Sequence, residues 1–162
     1  MKKIIIGVMG GSSVDDNDLR GAYELGRLIA KEGWVLLNGG RSCGVMEFSA
    51  KGAKDAGGLT IGILPDNTRA GISRYIDIPI LTGIGDARNY INILSSDIVI
   101  ACKGAAGTIS EIALALKNMR PVILLDFDIG TLLSTYRKNK LLFEVKTPAE
   151  AIQLTKALLK LH

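Results

Sequence analysis

Arg88 and Glu111 are the two ionisable residues of this chain best placed for chemistry, because they bracket a loop made of small residues. The stretch 88–111 reads RNYINILSSDIVIACKGAAGTISE. Its centre is an apolar run at 97–102, followed by a glycine-rich turn at 103–107 and then a helical pattern. The first N–H groups of a helix have no helical partner, and the macrodipole there favours negative charge. A strand, a small-residue turn and a helix start therefore make an anion site. Arg88 would add a cation and Glu111 a carboxylate. If Asp86 caps the helix that carries Arg88, the cation faces the positive end of the dipole, and an anionic ligand would relieve that conflict. The alternative is an Arg paired with Asp86 or another carboxylate. Glu111 is also open to two readings. Thr108 and Glu111 have the spacing of a capping box, so the carboxylate either serves the site or caps its own helix.

Two further loops have the same character. GGSS follows the first apolar run and GGRSCG the second, and Glu47 lies just beyond it. Together the three loops nominate Gly11, Ser12, Ser13, Gly39, Gly40, Gly44, Lys103, Gly104, Gly107 and Thr108 as ligand or phosphate contacts. None is a nucleotide fingerprint. Gly7, Gly10 and Gly11 miss the GxGxxG spacing. Gly39 to Gly44 has the spacing of a P-loop, but Val45 stands where its lysine belongs.

The elements that must position these loops alternate along the chain. Apolar runs at 3–9, 34–38, 59–64, 76–80, 97–102 and 121–126 read as strands, and 141–145 as an edge strand. Continuous rather than alternating runs fit strands buried on both faces. Helical patterns lie between them at 19–31, capped by Asp18, and at 45–56, 108–118 and 131–137. Gly26, inside the first, implies close packing against the sheet. Thr147-Pro148-Ala149-Glu150 is a capping box with proline where it fits best, opening a last helix that runs to about 161. Residues 66–75 hold no strong period and read as a surface loop, a candidate lid. The pattern predicts an α/β, Rossmann-like open sheet, mostly parallel, of about six or seven strands with helices on both faces. In such sheets ligands bind beyond the carboxyl ends of the strands, where all three loops emerge.

Composition narrows the function. The 162 residues suit one domain, 1–162, large enough to fold without disulfides. Aromatic residues make up 5%, too few for a platform that stacks nucleic-acid bases. The net charge of +4 has much of its basic part late in the chain, read as a solvated face, so nucleic acid is not the expected partner. Cys43 and Cys102 follow no metal or redox spacing, and no residue is assigned to a metal. His162, the only histidine, is read as a frayed terminus. No run approaches the roughly 18 apolar residues of a membrane span, so the expected location is cytoplasmic.

KGAAGTISE resembles the PGGxGTxxE motif of the "Lonely Guy" phosphoribohydrolases, long mislabelled lysine decarboxylases. The likeness extends to GSS at 11–13, to GGRSCGVM in place of that family's GGGxxGLM, and to an Arg ahead of the fifth strand. The GVME form, the Arg88-Asn89 pair and the short chain look closer to the branch of molybdenum-cofactor carriers. The resemblance implies a Rossmann-like fold, a site for a nucleoside monophosphate or a phosphorylated pterin, and a dimer or tetramer. In the hydrolases an Arg and the motif's final Glu serve N-glycosidic hydrolysis; matched by position, these are Arg88 and Glu111. Three departures matter. Lys103 replaces the motif's Pro, Ala105 its second Gly, and Ser110 the Glu that commonly precedes the last one. The lost carboxylate weakens the hydrolase reading more than the binding reading. The expected function is binding of a phosphorylated small molecule, nucleotide-like or a molybdopterin-type cofactor, as a carrier. The alternative is a nucleoside 5′-monophosphate phosphoribohydrolase using Arg88 and Glu111, which needs no cofactor. DNA binding ranks third.

Overall fold

The computed structural model describes residues 3–160. Seven strands form one sheet: β1 (Ile5–Met9), β2 (Val35–Asn38), β3 (Thr60–Leu64), β4 (Ile78–Leu81), β5 (Ile98–Ala101), β6 (Val122–Leu125) and β7 (Leu142–Val145). They lie in the order β4-β3-β2-β1-β5-β6-β7, and every pairing is parallel. The expected Rossmann-like α/β fold is therefore present, with an entirely parallel sheet. Among the described residues five α-helices lie between strands, α1 (Asp16–Lys31), α2 (Gly44–Asp55), α3 (Arg88–Leu94), α4 (Ala106–Lys117) and α5 (Ser134–Lys138), and α6 (Pro148–Leu159) follows β7.

Period-two alternation within each buried strand feeds two cores. Ile6, Val8, Leu36, Ile98, Ile100 and Ile123 face α1, α2 and α6. Met9, Leu37, Ile63, Val99, Ala101, Val122 and Leu124 face the α3 and α4 side. Burial on both faces is why these strands read as unbroken apolar runs.

Several local expectations shift. Asp15 rather than Asp18 caps α1, its carboxylate accepting from the Asp18 N–H at 2.9 Å. Gly26 meets α2 and not the sheet: a Cβ there would stand 1.9 Å from the Ser49 carbonyl oxygen. Gly52 is its counterpart, 1.9 Å from the Tyr23 carbonyl oxygen. The two glycines let α1 and α2 cross almost backbone to backbone. Asp86 caps nothing. A 3-10 turn, Gly85–Ala87, runs straight into α3, so Ala87 is already helical where a capping residue would be extended. The box opening α6 forms as expected, with Thr147 and Glu150 bonding reciprocally. His162 and Leu161 lie outside the described residues.

The 66–75 segment is tied down. The Ser42 N–H donates to Gly71 O at 3.0 Å and the Ser73 N–H to Gly40 O at 2.9 Å. Arg41 pairs with Asp66 at 2.6 Å.

Candidate functional site

The chain leaves β1 outward through β2, β3 and β4, then returns to the other side of β1 at β5. The helices after β1 and β5 therefore pack on opposite faces of the sheet, and a crevice opens at this switch in strand order. A cleft of about 200 Å³, open to solvent, lies there. Gly11 and Ser12 line it from the loop after β1, Gly39 from the loop after β2, and Gly107, Thr108 and Glu111 from α4; Arg88 completes it from α3.

The remaining nominated residues frame the cleft or stand apart from it. The Gly11 N–H donates to Lys103 O at 2.8 Å, and the Val45 N–H to Gly11 O at 3.0 Å, which staples the three loops together. Gly44, at φ +53°, and Gly104 allow that approach. Their Cβ atoms would meet Gly11 O at 2.2 Å and Thr108 Oγ1 at 2.1 Å. Gly40, at φ +74°, turns against Gly62. Ser13 is exposed beyond the lining. The Lys103 ammonium turns to the opposite face, 3.0 Å from Asp18 and 3.8 Å from Asp126.

α4 begins at Ala106, with Ala105 at its cap and no side chain satisfying its first N–H groups. Thr108 is thus the third residue of the helix and Glu111 the sixth. The expected capping box does not form, because the helix starts earlier than the Thr-x-x-Glu spacing implies. Free N–H groups at the start of a 12-residue helix, facing a cleft, are ready for an anion.

Arg88 is buried. It spans the cleft floor, and its Nη1 donates to Ile63 O at the end of β3, 2.8 Å away. Its Nε has no partner. A Cβ on Gly39 would sit 2.1 Å from Nη1, so only glycine leaves room for the guanidinium. Burial pulls its pKa below the ordinary value, opposed by the charge of Glu111. Glu111 is also buried and accepts one hydrogen bond, from Asn92 Nδ2 at 3.1 Å. Burial pushes its carboxyl up to about 7, against the Asn92 hydrogen bond and the Arg88 charge.

Asn92 is the main residue that sequence reasoning overlooked. It lies one helical turn after Arg88 and therefore on the same face, a spacing legible in the chain. Its Oδ1 is buried without a partner. Asp86, Asn89, Met46, Met9 and Val8 also line the cleft, the last three as an apolar wall.

An open parallel sheet with a cleft at its switch point, bordered by an uncapped helix start and a buried Arg, defines a Rossmann-like protein. The chain belongs to the SLOG cluster4 family, whose model matches residues 3–152. It is 52% identical to a structure described as the molybdenum cofactor binding protein of Rippkaea orientalis, which superposes with a TM-score of 0.92 over 98% of this chain and 99% of that one. It is 45% identical to the molybdenum cofactor carrier protein of Chlamydomonas reinhardtii, at TM-score 0.90 over 98% and 99% of the two chains. An uncharacterized protein of Archaeoglobus fulgidus is 50% identical over 122 residues, 75% of this chain and 80% of that one.

Proposed function

We propose that this protein binds a molybdenum cofactor, a phosphorylated pterin holding the metal, and carries it without transforming it. The observation that carries the reading is the pairing of an uncapped α4 start with a buried Arg88 across one cleft. The near full-length likeness to proteins described as binding or carrying that cofactor supports it. The residues present suit such a group. Gly107, Thr108 and neighbouring N–H groups would hold the phosphate, together with Gly11 and Ser12. Arg88, with its unpartnered Nε, would add charge. Val8, Met9 and Met46 would face the flat ring.

Exposed Ile78, Ile80 and Ile84, with Tyr90 and Leu94 on α3, favour an assembly of several copies. No helix among the described residues is long and apolar enough to cross a membrane, which accords with a cytoplasmic carrier.

The test is anaerobic loading with molybdenum cofactor released from a molybdoenzyme, followed by desalting. Molybdenum and pterin fluorescence should leave the column with the protein, and Arg88→Gln should lose most of both. Failure of the unmodified protein to retain either would refute the carrier role. The same preparation incubated with AMP separates the second reading. Release of adenine, abolished by Glu111→Gln, would make it a phosphoribohydrolase.

A further inference from the structure

Glu111 sits where a carboxylate is poorly served. It is only 7% exposed and accepts a single hydrogen bond, from a neutral amide. Arg88 makes no hydrogen bond to it, its Nη1 donating to Ile63 O instead, although the guanidinium charge still favours the ionised form. Other elements around the cleft offer no compensation. The loop after β1 presents Gly10, Gly11 and Ser12, none of them titratable, and the loop after β2 presents Gly39. Arg41, farther along that loop, is paired with Asp66. Asp86, at the approach to α3, adds a second carboxylate to the lining. An anion held at the start of α4 would bring further negative charge into the space that Glu111 borders, and would displace the water that still reaches it. A buried carboxylate answers such crowding by taking a proton.

We infer, resting on the carrier reading, that Glu111 enters the ligand complex as the neutral acid. Its proton comes from solvent, and its O–H donates to an anionic oxygen of the bound ligand. Loading therefore takes up a proton at each site whose free carboxyl is ionised, approaching one per site well above pH 7. Asn92 is the positioning residue. Its amide holds one Glu111 oxygen and leaves the other to the ligand. Burial has already brought the carboxyl to about 7, so little further change is needed to protonate it at neutral pH. The same linkage makes alkaline conditions an unloading signal.

Two measurements test this. In the ligand-free protein, isotope-edited carboxyl NMR should show Glu111 titrating near 7. Titration in the ordinary glutamate range, near 4.3, would overturn the inference. With the molybdenum cofactor as probe, affinity should fall about 30-fold between about pH 6 and about pH 8.5, tenfold per unit once the free carboxyl ionises. Glu111→Gln, whose amide can donate but cannot ionise, should lack this fall. Ionisation of the ligand phosphate affects both proteins alike, so the difference between them is diagnostic. Identical pH dependence in both would overturn the inference and leave the carrier reading standing. Absence of binding by the unmodified protein at every pH would overturn both.

Discussion

Gly39→Ala should damage the cleft without replacing any side chain proposed to meet the ligand. The new Cβ would stand 2.1 Å from Arg88 Nη1, 2.8 Å from Nη2 and 2.7 Å from Met46 Sδ. Ordinary van der Waals contact begins at 3.4 Å, so the guanidinium must retreat by 3.4 − 2.1 = 1.3 Å. A retreat of that size is enough to break its 2.8 Å bond to Ile63 O. A charge-assisted hydrogen bond contributes about 2 kcal/mol. Gly39 is outside the left-handed region, so alanine suits the backbone and returns about 0.5 kcal/mol through the unfolded chain. The net loss is about 1.5 kcal/mol, or roughly 3–6 °C in melting temperature for a chain of this size. Displacing the cation should also weaken cofactor retention about tenfold, equivalent to ~1.4 kcal/mol. Thermal unfolding and a retention assay on one preparation would read both. An unchanged melting temperature together with unchanged retention would refute the placement of Arg88 against Gly39.

Two further outcomes follow from the geometry. Glu111 has a folded-state pKa of about 7, above its unfolded value. Its contribution to stability is full below the unfolded value and is lost as pH rises through about 7. Glu111→Gln should therefore gain on the unmodified protein by about 3 kcal/mol between about pH 4 and pH 8 in urea unfolding, and a constant difference would contradict the burial. The α1–α2 crossing is tested by a pair. Gly26→Ala forces a Cβ onto the Ser49 carbonyl oxygen and should cost at least ~1–3 kcal/mol. Gly21→Ala, on the same helix with nothing within 4 Å, should gain about 0.5–1 kcal/mol; equal effects would refute the contact.

Much of the fold was legible because both faces of the sheet are covered. Each central strand had to be apolar throughout, and 3–9, 97–102 and 121–126 announced themselves for that reason. The glycine loops were legible as a group, since they emerge on one edge whatever the strand order. What each glycine does was not legible. Gly39 yields to a side chain 49 positions away, whereas Gly44 yields to the backbone of the loop after β1 and Gly104 to the Thr108 hydroxyl of the helix that follows it. Spacing carries no trace of that difference. The misreadings at Asp86 and Thr108 share one cause. A capping signature predicts a helix start from local chemistry, but both helices start where no side chain caps them. In α4 the earlier start carries Glu111 past the first turn and into the protein. Lys103 was drawn away by Asp18, a carboxylate 85 positions earlier that only the β1–β5 pairing brings near.

That pairing also fixes when the binding site comes into being. The Gly11 N–H meets Lys103 O, and the Ile5 N–H meets the Asp97 carboxylate, so the first strand of the chain, already paired with β2, finds its second neighbour only after nearly a hundred residues have been made. Contacts so distant in sequence are slow to close and depend on the intervening chain being already ordered. During synthesis the first four strands emerge with one side of β1 bare, and no cleft exists until α4 has followed β5 into place. On the carrier reading, loading waits until α4 has packed, and a fragment that ends before β5 lacks the α4 start and Glu111.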